Sequence, residues 1–116
     1  MDKRTWDELI TNYYRGWNDQ EDHITGFARR LNDDQAKLRS DGLVISDVDK
    51  LQHYMLQMWD CSLFDQLTMT EWTIKPNDVK TYANAVLFFN QKTRNLEAYE
   101  AASKKTRTVS KQQTQL

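Results

Sequence analysis

The chain has one cysteine, one proline and three glycines among its 116 residues. Each scarcity excludes something. One cysteine rules out a disulfide framework within the chain and fits a reducing compartment, cytosolic or nuclear, with the cytoplasm the expected location. Three glycines, Gly16, Gly26 and Gly42, lie too far apart for a phosphate-cradling loop. With one proline, Pro76, there are few places to break a helix. No apolar run approaches the ~18 residues of a membrane span, and Met1 to Trp6 lacks the apolar core of a secretory signal. Only two histidines are present, His23 and His53, and no Cys/His spacing resembles a zinc site.

Acidic residues are plentiful but in patterns of little chemical use. Asp33-Asp34, Glu21-Asp22 and Asp47 with Asp49 fall at expected helix starts or on polar faces, where they compensate the helix dipole. The Asp47–Asp49 pair lacks the glycine and distal glutamate of a calcium loop. Cys61 follows Trp59-Asp60 at an expected helix end and reads as a small filler rather than a nucleophile. The inventory therefore predicts no enzyme, no metal, no cofactor and no small-molecule substrate.

Charge is unevenly spread. The net charge is −1, yet residues 103–116 carry Lys104, Lys105, Arg107 and Lys111 with no acid. Removing that +4 leaves the body at −5. A basic segment is an electrostatic handle for nucleic acid, and these four residues are the candidate nucleic-acid tail.

Apolar spacing follows the helical period nearly throughout. A first helix is expected over about 6–15, opened by a Thr5–Glu8 capping box and ended near Gly16. A second is expected over about 22–40, with Gly42 in the left-handed position after it and Leu43 folding back. Ser46 should open a third over about 47–60. A break at Cys61-Ser62 precedes a short turn through Trp72 that Thr68 and Glu71 would cap. Pro76 fits the first turn of a last helix reaching about residue 103. Residues 104–116 lack periodicity and read as disordered. The expectation is an all-α fold: a compact bundle of about five helices spanning 1–103, with a disordered basic C-terminal tail over 104–116.

Four Trp, five Tyr and four Phe are unusual aromatic weight. Tyr54, Met55, Met58 and Trp59 crowd one broad face of the third helix. Such a stripe is either core or contact surface, and periodicity alone does not separate them.

The run Asp19-Gln20-Glu21-Asp22-His23-Ile24-Thr25-Gly26-Phe27-Ala28-Arg29-Arg30-Leu31 resembles the major homology region of retroviral and retrotransposon Gag capsid proteins. Leu38 and then Asp41-Gly42-Leu43-Val44-Ile45-Ser46-Asp47-Val48-Asp49-Lys50 resemble a run of Copia-type Gag sequences. The pattern departs from the family at Glu21, where a glycine is usual, and at Gly26, and no zinc knuckle follows. The resemblance implies a capsid C-terminal-like domain that self-assembles. It implies that Gln20, Asp22, Ile24, Phe27, Arg30 and Leu31 form a structural motif. Physically, Gln20 and Asp22 would supply acceptors at the helix start, Arg30 would reach back to the preceding loop, and the apolar three would anchor the helix.

The expected function is helix-mediated homo-oligomerisation with a second copy as partner. Within the candidate interface of Tyr54, Met55, Met58 and Trp59, the anchors would be Trp59, Met58 and Met55, with Tyr54 and Lys50 toward the rim. On that expectation, Trp59→Ala or Met58→Ala weakens dimerisation without unfolding the domain. The alternative is a monomeric helical module that grips another protein, or nucleic acid through the tail.

Overall fold

The computed structural model describes the backbone of residues 3–114 and the side chains of residues 6–104. The described residues are all-helical: α1 (Lys3–Tyr14), α2 (Ile24–Ser40), α3 (Asp47–Asp60), α4 (Gln66–Thr73) and α5 (Tyr82–Thr114), with a 3-10 turn at Asn77–Val79 before α5. α1 packs on α2, and α5 lies against α2, α3 and α4.

The helix ends follow local chemistry, with some corrections to the sequence reading. α2 closes as expected on a Schellman arrangement. Gly42 takes φ 90°, the Gly42 N–H donates to the Arg39 carbonyl (3.1 Å), and the Leu43 N–H donates to the Leu38 carbonyl (2.9 Å). Ser46 opens α3, its hydroxyl accepting from the Asp49 N–H at 3.1 Å. α1 begins at Lys3, so Thr5 lies inside the helix rather than ahead of it; residues 3–5 hold no glycine or proline to stop the helix there. α4 is capped by Asp65, whose carboxylate accepts the Thr68 N–H at 2.8 Å, rather than by Thr68. That bond holds the Asp65 carboxyl below its ordinary pKa.

α5 starts six residues past Pro76, because the 3-10 turn comes first and the Thr81 hydroxyl then accepts the Asn84 N–H (3.2 Å). Its backbone continues past the expected end near 103 to Thr114. The sequence there holds no glycine or proline and is rich in good helix formers.

The core is largely aromatic. Trp17 stacks on Phe27 (5.6 Å, 10° between planes), and Phe27 stacks on Tyr54 (5.8 Å, 10°). Tyr54 meets Phe89 at 6.2 Å, and Phe89 continues to Phe64 and Trp72. Ile24, Leu31, Leu38 and Met58 belong to the same buried cluster as these rings.

Two basic side chains of α3 are buried. The Lys50 ammonium donates to the Asn32 and Gln35 side-chain oxygens (2.6 and 2.8 Å) and sits 4.0 Å from the Tyr82 ring centroid. Burial lowers its pKa from the ordinary value. His53 lies among Tyr13, Tyr14 and Phe27, with its Nε2 lacking a protein partner. Burial likewise pushes the imidazole below its ordinary pKa, against an opposing hydrogen bond with the Tyr13 backbone.

The sign of the His53 effect follows. Below about pH 6.5 the unfolded chain takes up a proton there that the folded chain resists, so stability falls with pH, by at most about 1.4 kcal/mol per pH unit. Denaturant midpoints measured between about pH 7.5 and 5.5 should decline, and His53→Gln should flatten the decline. An equal slope in the variant would contradict the assignment.

Candidate assembly surfaces

The segment between α1 and α2 is held from three sides. The Arg30 guanidinium reaches back from α2 and donates to the Arg15 carbonyl at 2.6 Å, its charge 5.2 Å from the Phe27 ring. The Gln57 amide oxygen, on α3, accepts the Trp17 N–H at 3.0 Å. The Trp17 indole donates to the Asp22 carbonyl at 2.9 Å. Ile24, Phe27 and Leu31 face the core, each essentially inaccessible to solvent. The residues picked from the sequence as a structural motif are thus brought together at Arg30, Ile24, Phe27 and Leu31.

Gln20 and Asp22 play other parts than helix capping. Gln20 is exposed, and its backbone N–H donates to the Asn18 side chain at 3.0 Å. The cap of α2 is His23, whose Nδ1 accepts the Thr25 N–H at 3.3 Å and lies 2.9 Å from the Thr25 hydroxyl. With Nδ1 accepting, Nε2 carries the proton and donates to Glu97 of α5 at 2.7 Å. A histidine cap ranks low among capping residues, which is why the sequence pointed to its neighbours. The Asp22 carboxylate instead lies over the first turn of α2: a Cβ on Gly26 would come within 2.2 Å of its Oδ1. That contact explains a glycine inside a helix, where it otherwise costs about 1 kcal/mol relative to alanine.

The broad apolar face of α3 divides. Tyr54 and Met58 are core residues, 0% and 1% exposed, so neither is available for a contact. Lys50 is buried as well and is no rim residue. Met55 is half-buried, packed at the core's edge. Trp59 is 52% exposed. With it on the outward side stand Val48 (66%) and Leu56 (64%), and Val44 is exposed just before the helix. Positions 48, 52, 55, 56 and 59 recur at three and four, so Val48, Gln52, Met55, Leu56 and Trp59 form one outward stripe about three turns long. Leu56, 64% exposed, belongs to it.

A cleft of about 210 Å³ opens between the α1–α2 segment and α5, with Asp19, Asp22, Glu97 and Glu100 around it and Ile24 and Leu96 among its apolar walls. Of the basic tail, Lys104 is exposed; Lys105, Arg107 and Lys111 fall outside the described side chains. Among the described residues no three His, Cys, Asp or Glu side chains are grouped to hold a metal ion. Nor is any described helix long and apolar enough to cross a membrane.

What fold and surface define together is an all-α domain with an exposed apolar helix stripe and a separate acidic cleft. No family model, curated protein or solved structure matches the chain.

Proposed function

We propose that this chain is a structural self-assembly domain that acts through homo-oligomerisation and not through catalysis. The observation that carries the reading is the outward stripe of α3, where Val48, Leu56 and Trp59 stand exposed in a row on a helix whose opposite face is already committed to the core. Large apolar side chains aligned in this way mark contact surfaces rather than scattered surface residues. Tryptophan is among the residues most often found carrying contact energy. A helix stripe can pack against its own copy across a two-fold axis, which makes a second copy the simplest occupant. The resemblance of residues 19–50 to Gag capsid sequences points the same way. Cys61, free and half-buried, fits a reducing, cytoplasmic setting.

The test is Trp59→Ala in the full chain. Removing a central aromatic anchor should raise the dimer dissociation constant by about thirtyfold. The helical signal and melting midpoint should stay those of the parent, since Trp59 lies outside the core. Unchanged association by sedimentation or light scattering would overturn the α3 contact.

A further inference from the structure

We infer that the acidic cleft between the α1–α2 segment and α5 is a binding site for a linear aliphatic polyamine, a cation whose charges are separated by methylene spacers. The cleft and the outward stripe of α3 share no residue, so this inference and the self-assembly reading stand or fall separately.

The side chains of the cleft decide what a ligand must bring. Its carboxylates stand on two walls, Asp19 and Asp22 from the α1–α2 segment, Glu97 and Glu100 from α5. Its side-chain donors are already spent. The Trp17 indole N–H goes to the Asp22 carbonyl at 2.9 Å, and the His23 Nε2–H goes to Glu97 at 2.7 Å. His23 accepts its cap bond at Nδ1, so the ring is neutral there and cancels no negative charge. Thr93 adds an acceptor within the same lining. It is 4% exposed, and its hydroxyl hydrogen is spent on the Phe89 carbonyl at 2.8 Å, so its oxygen can only accept. What the polar side chains leave open is acceptors alone, and a donor-rich cation satisfies them.

The spread and the walls fix the kind of cation. Among the described residues no three His, Cys, Asp or Glu side chains are grouped to hold a metal ion, so a point charge does not engage both walls. Ile24, Leu63 and Leu96, with the ring of Trp17, supply apolar surface beside the carboxylates. A hydrated ion gains nothing from such surface, whereas methylene groups do. The volume of about 210 Å³ suits a slender chain, since sites for drug-sized molecules run to about 300–1,000 Å³.

The chain's own cations leave the need unmet. Arg30 shares a neighbouring pocket with Asp22, but its guanidinium is held by the Arg15 carbonyl. Lys104, one turn past Glu100, offsets at most that one carboxylate. A single charge would serve one wall, whereas separated charges serve both. The bound amine would tie the α1–α2 segment to α5 alongside the His23–Glu97 bond, so binding should stabilise the fold.

The test is isothermal titration calorimetry of the full chain with spermidine at about 0.15 M salt, with melting midpoints measured in parallel. The expected result is one spermidine bound per chain and a midpoint that rises with its concentration. Asp19→Asn and Glu100→Gln should each weaken binding about tenfold. Without spermidine both should melt as the parent does, since neither residue belongs to the core. Mg²⁺ and N-acetyl-lysine amide, a point cation and a singly charged side chain, should each bind at least about tenfold more weakly than spermidine.

No heat and no midpoint shift with spermidine would overturn the site, as would parent-like binding in both carboxylate variants. Mg²⁺ binding as tightly as spermidine would reduce the cleft to an unspecific negative surface. N-acetyl-lysine amide binding as tightly would assign it to a basic side chain of another protein. Either of these results overturns the polyamine site.

Discussion

Phe27→Ala is expected to lower the folding stability by about 3–5 kcal/mol, the range for emptying a buried aromatic site. The side chain is wholly buried and held between two parallel rings, Trp17 and Tyr54. The edge of His53 stands 6.3 Å away and the Arg30 guanidinium 5.2 Å. Alanine would leave a void that touches α2, α3 and the α1–α2 segment at once. Trp17 would lose its stacking partner while its backbone and indole stayed tied to Gln57 and Asp22. The surroundings would therefore collapse only in part, which is the condition for a large cost. Against a typical total of about 5–15 kcal/mol, such a loss leaves a marginal domain. Denaturant titration checks it, and a loss below about 1 kcal/mol, typical of surface substitutions, would contradict the packing described.

Met58→Ala is expected to cost about 2–5 kcal/mol, although Met58 adjoins the residue whose truncation should cost almost nothing. Met58 is 1% exposed and belongs to the continuous core with Tyr54 and Phe89. Any loss of self-association in this variant should follow loss of structure, visible as a lowered melting midpoint in circular dichroism. The contrast with Trp59→Ala separates the inner and outer edges of one helix. Equal melting midpoints for Met58→Ala and the parent would place Met58 at the surface and refute the division of α3.

The helices were legible because their signals are local. Periodicity of three and four, Gly42 after α2 and Ser46 before α3 depend on residues within one or two turns. The α2 anchors Ile24, Phe27 and Leu31, and the backward reach of Arg30, were legible for the same reason. The split of α3 was not. Met58 and Trp59 are adjacent, about 100° apart on the helix, and both apolar, so the period predicts one wide face. Which edge turns inward is decided by where α2 and α5 lie. Lys50 was read as a rim residue because a lysine is rarely buried. Its burial rests on Asn32, Gln35 and Tyr82, supplied by two other helices. The His23 cap escaped notice because histidine ranks low among capping residues, and its tie to Glu97 because that partner is 74 residues away. The acidic cleft has the same origin, since it joins Asp19 and Asp22 to Glu97 and Glu100 only once α5 is in place.

The central claim is that this domain associates with its own copies. The most direct test is the molar mass of the unmodified full chain by light scattering, followed from micromolar to millimolar concentration. The account predicts a mass that climbs above the 13.8 kDa of one chain as concentration rises and is lowered by Trp59→Ala at each concentration. A mass that stays at one chain throughout would contradict it.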